Sequence, residues 1–232
     1  MSGPRAAEVL AALQLADSFF PTGMYAHSCG LEGMVRRGWV RTAEDVEELV
    51  RNQFTWSVVP GDGVALLNAY RAAALGDLGT LIAVDRLLYS LKLPAELRAA
   101  SCQAGRRLLD ETAPLTSGPV HASYRAEVEH HQTPGTGAVA LGVVGWALDI
   151  PEEWALLMFC HSYAVGVLSA AMRLLRLTHS QAQGILWGLH SLVADLVNEV
   201  KDRTWQEMTS FTPQLDIAAM GHESDDPRMF AS

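Results

Sequence analysis

Apolar residues recur every three or four positions along most of the chain, which is the spacing of one face of an α-helix. The stretch AAEVLAALQLAD near the beginning is the first example, and Pro21 and Gly23 interrupt the pattern after it. A second helix is predicted from Thr42, whose side chain can form a capping box with Asp45, to about Val59. A proline and a glycine follow at once, so this helix is expected to end there.

The second half of the chain contains its most apolar stretch. Residues 154–172 carry no charged side chain, which is about the length that a membrane span needs. A helix buried at the centre of a helical protein has the same composition, and His161, Ser162 and the flanking Arg173 favour that interpretation. An integral membrane protein that spans the bilayer at 154–172 is the alternative, which recovery of the protein without detergent would exclude.

Strands are not expected, because no alternation of apolar and polar residues bounded by hairpin turns occurs. Residues 212–232 lose the helical periodicity and predict an extended polar tail rather than a packed helix. The whole pattern predicts an all-α, single-domain protein over residues 1–232. It should contain roughly ten helices around a buried apolar central helix, with irregular polar N- and C-terminal segments.

Charge and cysteine content narrow the functional classes. The 232 residues carry a net charge of -9, and lysine and arginine form no long run. Nucleic-acid binding needs a concentrated basic footprint, so no nucleic-acid partner is expected. The cysteines Cys29, Cys102 and Cys160 form no Cys-x-x-Cys pair, which fits a reducing compartment. Because the N-terminus has no apolar leader with a small-residue cleavage site, we expect a cytoplasmic protein without membrane association.

His27 and Cys29 lie close together in the sequence, with Glu32 nearby, and raise the question of catalytic or metal chemistry. Side chains two positions apart on a helix diverge, so the pair is poorly placed for a Cys-His nucleophile or a closed zinc site. Phosphate-binding glycine motifs are also absent. We therefore expect no catalytic residue, no bound metal and no cofactor. A cysteine- or metal-dependent hydrolase using these three residues is the alternative, and a Cys29→Ala variant that keeps its function would exclude it.

Two motifs, one near each end of the chain, resemble those of a known family. The first begins Leu-Gln-Leu-Ala-Asp-Ser at Leu13 and, after a proline-glycine break, ends Ser-x-Gly-Leu-Glu at Glu32. The second lies in residues 213–232, where Leu-x-Asp-Ile-Ala-Ala-Met-x-His-Glu is followed by Arg-x-Phe-x-Ser at the end. With weaker matches between them, these motifs resemble the UreF family of urease accessory proteins over nearly the whole chain.

The resemblance implies an all-helical, non-enzymatic adaptor or chaperone that forms a homodimer. Members of the family bind a second accessory protein, UreD (also called UreH), and recruit the nickel-carrying GTPase UreG. The assembly docks on apo-urease for nickel insertion, and a role in regulating GTP hydrolysis has been proposed. Residues 1–27 are then an N-terminal docking segment and residues 212–232 a C-terminal docking tail. The partner-binding residues expected from the matched motifs are Asp17, Tyr25, His27, Glu32, Arg173, Asp216, Met220, His222, Glu223, Arg228 and Phe230.

Alternatives stay open for these residues. Asp17 and Glu32 can accept hydrogen bonds from a partner, or they can cap helix N-termini within the chain. The tail can fold onto a partner or pack on the core of its own chain. The chain also departs from the family after Leu174, where it lacks a common proline and two common glycines. The α-helix is therefore expected to run on where the family has a loop.

Overall fold

The structure, a computed structural model, describes residues 6–17, 19–21, 27–222 and 229–230. These residues contain twelve α-helices and no strand, which confirms the predicted all-α class. The helices are α1 (Ala6–Ala16), α2 (Leu31–Arg36), α3 (Ala43–Gln53), α4 (Val64–Leu75), α5 (Leu78–Leu91), α6 (Ala95–Thr112), α7 (Pro119–Glu129), α8 (Gly137–Ala147), α9 (Glu152–Leu174), α10 (His179–Gly188), α11 (His190–Val200) and α12 (Pro213–His222). A π-helical segment (Phe54–Gly63) joins α3 to α4, and short 3-10 turns lie at Ala113–Leu115 and Trp205–Glu207.

The predicted start of α3 is confirmed. The Thr42 hydroxyl accepts the backbone N–H of Asp45, and the Asp45 carboxylate accepts the backbone N–H of Thr42 in return. This capping box satisfies two donors that the first turn of a helix cannot pair internally.

The prediction that this helix ends near Val59 is wrong. α3, the π-helical segment and α4 follow one another without a break, and Pro60 lies inside the wide π-helical turns. Proline has no N–H to donate within a helix, and the carbonyl of Trp56 in this segment is bonded to a residue outside it. That carbonyl accepts the backbone N–H of Phe211 at 2.8 Å, and the Pro60 carbonyl accepts that of Thr209 at 3.2 Å. The π-helical segment therefore provides two attachment points for the C-terminal part of the chain.

The long apolar helix α9 is the central helix that the sequence predicts. It packs against α1, α2, α4, α8, α10 and α11. Among the described residues it is the one helix long and apolar enough to cross a membrane, with a mean hydropathy of 1.6. Other parts of the fold bury 56% of that apolar window. Packing within the protein therefore accounts for its composition.

α9 ends at Leu174, so the expectation that the helix would run on is wrong. Arg176 adopts a left-handed conformation with φ of 56°, which an α-helix cannot contain. The Thr178 side chain then caps α10 by accepting the N–H of Gln181. The break is therefore made by a left-handed residue and a capping box, without the proline and glycines that are common in the family.

The expectation of an extended tail is also wrong for Pro213–His222, which form α12. Proline is favoured in the first turn of a helix, where its missing N–H costs nothing. The buried residues of α12 follow the helical i, i+3, i+4, i+7 pattern, and this pattern was the missed signal. They are Leu215, Ala218, Ala219 and His222.

Candidate docking site

The two ends of the chain meet where α12 packs on α2. Gly33 on α2 lies so close to α12 that a Cβ there would be 2.4 Å from the carbonyl oxygen of Ala218. The Arg37 guanidinium donates to the carbonyls of both Gly33 and Ala218, at 3.2 and 3.3 Å. A glycine is therefore needed at this crossing, and an arginine fastens the two helices beside it.

Glu32 is the centre of this arrangement. Its carboxylate is almost completely buried and accepts the backbone N–H groups of Met229 at 3.0 Å and Phe230 at 2.9 Å. The Arg36 guanidinium lies 3.0 Å from its Oε1 atom, and His222 Nε2 lies 3.1 Å from its Oε2 atom. One side chain of the N-terminal motif therefore holds three residues of the C-terminal motif.

These contacts change the pKa of Glu32 in opposite directions. Burial raises the pKa, because it removes water from the charged form. The two backbone N–H groups and His222 lower it by more, so that the pKa of Glu32 lies below its ordinary value. The carboxylate is therefore charged at neutral pH and makes charge-assisted hydrogen bonds to the end of the chain.

His222 connects Glu32 to a third segment of the chain. Its Nδ1 atom lies 2.9 Å from Oε2 of Glu96 on α6, while its Nε2 atom faces Glu32 off the axis of an ideal hydrogen bond. The imidazole is buried between the two carboxylates. The histidine therefore fixes α12 against both α2 and α6.

The last described residue is also held by its aromatic ring. The Phe230 side chain is buried, and the Arg173 guanidinium on α9 lies 4.4 Å from the centre of its ring. A cation at this distance over an aromatic face is attracted by the ring quadrupole. We call the group Glu32, Arg36, Glu96, Arg173, His222 and Phe230 the Glu32 cluster.

The outward face of α12 remains exposed to solvent. Ile217 and Met220 lie one helical turn apart and are 58% and 44% exposed. Met229, in the same C-terminal motif, is also exposed. The tail therefore packs on its own core with one face and leaves apolar side chains for contact on the other.

A second group of predicted residues lines a cavity of about 100 Å³ next to α12. His27, Cys29 and Asp216 border it, together with the ion pair between Lys92 Nζ and Asp62 Oδ1 at 2.7 Å. Burial raises the pKa of Asp216 and lowers that of His27. Burial also raises the pKa of the Cys29 thiol to about 11. A thiol of that pKa is protonated at neutral pH and is not an activated nucleophile.

The remaining predicted residues are not part of the Glu32 cluster. Asp17 follows α1, and its carboxylate accepts the backbone N–H of Phe19 at 2.8 Å, which is a turn contact within the chain. Tyr25, Glu223 and Arg228 lie outside the described residues. Among the side chains that the structure describes, no group of three or more His, Cys, Asp and Glu residues is placed to hold a metal ion.

Two members of the Glu32 cluster, Glu96 and Arg36, were not identified from the sequence. Glu96 lies in the first turn of α6, where acidic residues are common because the helix dipole favours them. Arg36 lies one turn after Glu32 on α2, a spacing that sequence can identify as an ion pair. Neither signal indicates that His222 and Phe230 are nearby.

The fold and the cluster define a class: an all-helical protein whose N- and C-terminal motifs close on each other around one buried carboxylate. The UreF family model matches residues 40–190. The chain is 33% identical over 218 residues to urease accessory protein UreF 2 of Brucella canis, covering 94% of this chain and 89% of that protein.

Other urease accessory proteins match over similar lengths. The UreF of Trichodesmium erythraeum is 31% identical over 225 residues, which cover 97% of both chains. The UreF of Corynebacterium efficiens is 28% identical over 236 residues, which cover 100% of both chains. The chain belongs to the UreF family of urease accessory proteins.

Proposed function

We propose that this chain is a non-enzymatic adaptor in urease maturation, which recruits the nickel-carrying GTPase UreG to UreD/UreH and apo-urease. The observation that carries the proposal is the Glu32 cluster, which joins the two family motifs and holds α12 in a fixed position. A scaffold that binds partners needs such a preorganised surface, because ordering a free tail on binding would lower affinity.

The proposed contact surface is the outer face of α12, with Ile217 and Met220 as apolar anchors. Exposed apolar side chains on a rigid helix are the kind of feature that forms the centre of protein–protein interfaces. His222, Phe230 and Glu32 are buried beneath this face, so in our proposal they position it rather than touch the partner. The partner-binding role expected for these three residues from the sequence thus becomes an indirect one.

The hydrolase alternative has little chemical support. Cys29 has a raised pKa, and Glu32 is already occupied by the backbone N–H groups of the C-terminal residues. We propose that the protein lacks turnover of its own and acts in the cytoplasm as a homodimer. Any influence on GTP hydrolysis is then exerted on UreG through contact, and nickel is cargo of the assembly.

The test is co-purification, with mass measured by light scattering, of the chain with UreG and UreD/UreH from the same source. The informative variant is Ile217→Glu/Met220→Glu, because both side chains are exposed and neither belongs to the Glu32 cluster. The matched control is Leu75→Glu, an equally drastic change at a residue of α4 that is 83% exposed. A chain truncated after Phe211 provides the complete removal of α12.

We expect a stable complex with the full-length chain and the control, and its loss with the double variant and the truncation. The mass of the free protein should be that of a dimer. A full-length chain that binds neither partner would overturn the adaptor role. A double variant that binds as well as the control would show that α12 is not the contact surface.

A further inference from the structure

A concave surface with a high density of arginine lies between α5, α6 and the α7–α8 loop. Its volume is about 920 Å³, and Arg86, Arg98, Arg106 and Arg107 line it together with His131. We call this the arginine surface. Such a concentration of positive charge is unexpected in a chain with a net charge of -9.

Among the residues that the structure describes, no carboxylate neutralises the guanidinium groups of the arginine surface. Arg98 donates to the carbonyl of Lys92 at 2.7 Å and lies over the Tyr89 ring, and Arg86 donates to the carbonyl of Gln132 at 2.6 Å. These contacts orient the charges without cancelling them. For none of the four arginines does the described part of the chain supply an ion-pair partner.

A carboxylate at the edge of the arginine surface does not neutralise the positive charge of the arginines. Asp110 is the one acidic residue among the described residues that line it, and its Oδ1 atom is paired with Arg125 Nε at 2.8 Å. Arg106 and Arg107 are exposed on α6 with no hydrogen bond among the described residues. The surface therefore presents several free or weakly engaged positive charges to solvent.

One wall of the arginine surface is rigid. Asp85 on α5 is completely buried, and its carboxylate accepts four hydrogen bonds from the loop that precedes α8. The donors are the hydroxyl and N–H groups of Thr136, the hydroxyl of Thr133 and the N–H of Gly135. This loop continues into Gln132, which receives the Arg86 contact. The loop, Arg86 and Arg98 are thus held in place before any ligand arrives.

We infer that the arginine surface binds an acidic segment of another protein in the maturation assembly. Arg98 and Arg106 are two helical turns apart on α6, so their backbone positions are about 12 Å apart along the axis. Carboxylates spaced along a peptide can match this distance and contact each arginine separately. Arginine is suited to such contacts because its planar fork pairs with two carboxylate oxygens at once. The inference rests on the proposed function for the identity of the partner, but the surface itself does not.

The first arm of the test uses a labelled helical peptide of about twelve residues, long enough to span both arginines, with glutamate on one face. Its affinity is measured by fluorescence anisotropy at low salt and at about 0.15 M salt. The variants are Arg106→Glu alone and Arg106→Glu/Arg107→Glu, with Arg106→Lys as the charge-preserving change. Lys201→Glu is the control, because Lys201 is exposed on a different part of the chain.

We expect the wild type, Lys201→Glu and, more weakly, Arg106→Lys to bind the acidic peptide. The affinity should fall at least about tenfold in Arg106→Glu and further in the double variant, as reversing interfacial charges replaces attraction by repulsion. Equal loss in Lys201→Glu, or no wild-type binding at low salt, would overturn the inference. Tighter binding of inorganic triphosphate than of the peptide at the same arginines would also overturn it, in favour of a small-anion site.

The second arm repeats the co-purification with UreG and UreD/UreH using Arg106→Glu/Arg107→Glu. Loss of one partner, with the dimer mass retained, supports the arginine surface as a partner site. A complex unchanged by these substitutions would refute the inference and leave the adaptor role intact. Conversion of a dimer to a monomer would also refute it, since the surface would then bind a second copy of the chain.

Discussion

Docking of the last residues on Glu32 can be tested by replacing the carboxylate. Glu32→Ala removes the acceptor of two backbone hydrogen bonds, those of Met229 and Phe230. A hydrogen bond to a charged group contributes about 1.5–3 kcal/mol, so the docked state should lose about 3–6 kcal/mol.

The loss should be local. Even 3 kcal/mol changes an equilibrium constant by about 150-fold, which is enough to release a short segment. The released residues regain conformational entropy, so the free energy of global unfolding should fall by less than the docking free energy. Glu32→Gln keeps an oxygen acceptor without its charge and should have an intermediate effect.

The measurement is hydrogen exchange at the amides of Met229 and Phe230 in the wild type and both variants. Protection should fall about 100-fold, or to the value of an unstructured chain, in Glu32→Ala, because these amides lose their acceptor. The amide of Leu66 in the buried part of α4 is the internal control and should stay protected. Unchanged protection at Phe230 in Glu32→Ala would refute the role assigned to Glu32.

Three further predictions concern the protonation of Glu32, the crossing of α2 and α12, and the burial of Cys29. Because the pKa of Glu32 is lowered on folding, its contribution to docking is complete above the ordinary value of 4.5 and is lost as the pH falls below it; loss of Phe230 protection already near neutral pH would contradict this. Gly33→Ala should lower the free energy of unfolding by about 1–3 kcal/mol, because the added Cβ clashes with α12. The control Gly184→Ala on α10, where a Cβ would meet no atom within 4 Å, should raise it by about 0.5–1 kcal/mol. Equal melting temperatures of the two variants would be inconsistent with the close crossing of α2 and α12. Burial raises the pKa of Cys29 to about 11, so a thiol reagent at pH near 8 should label this residue only after unfolding, as followed by mass spectrometry. Rapid labelling of the native protein would reopen the hydrolase alternative.

Much of the helical architecture was predictable from local signals. The capping box at Thr42 and the apolar helix α9 are examples, because both depend on residues within a few helical turns. Pro60 was misinterpreted because a π-helical segment accommodates it, and that segment is held by residues distant in sequence, Thr209 and Phe211. Arg176 was misinterpreted because a left-handed arginine has no sequence signature as clear as that of glycine.

The cluster was predictable only in part. The family motifs point to Glu32, His222 and Phe230, but periodicity cannot reveal that residues separated by 198 positions share a hydrogen bond. Glu96, which completes the cluster, lies in neither motif. The distinction between a residue that contacts a partner and one that supports the contact surface depends on burial, which the sequence does not specify for single polar residues.

The most direct test of the Glu32 cluster as the support of a docking surface is the affinity of Glu32→Ala for the UreD/UreH partner. Glu32 is buried, so a partner that contacts the outer face of α12 does not reach it. We predict that the variant keeps its helical core, measured by protection of the α4 amides, and binds the partner at least about tenfold more weakly. Unchanged affinity in a variant whose Met229 and Phe230 amides have lost their protection would contradict the claim that joining the two ends of the chain prepares the protein for its partner.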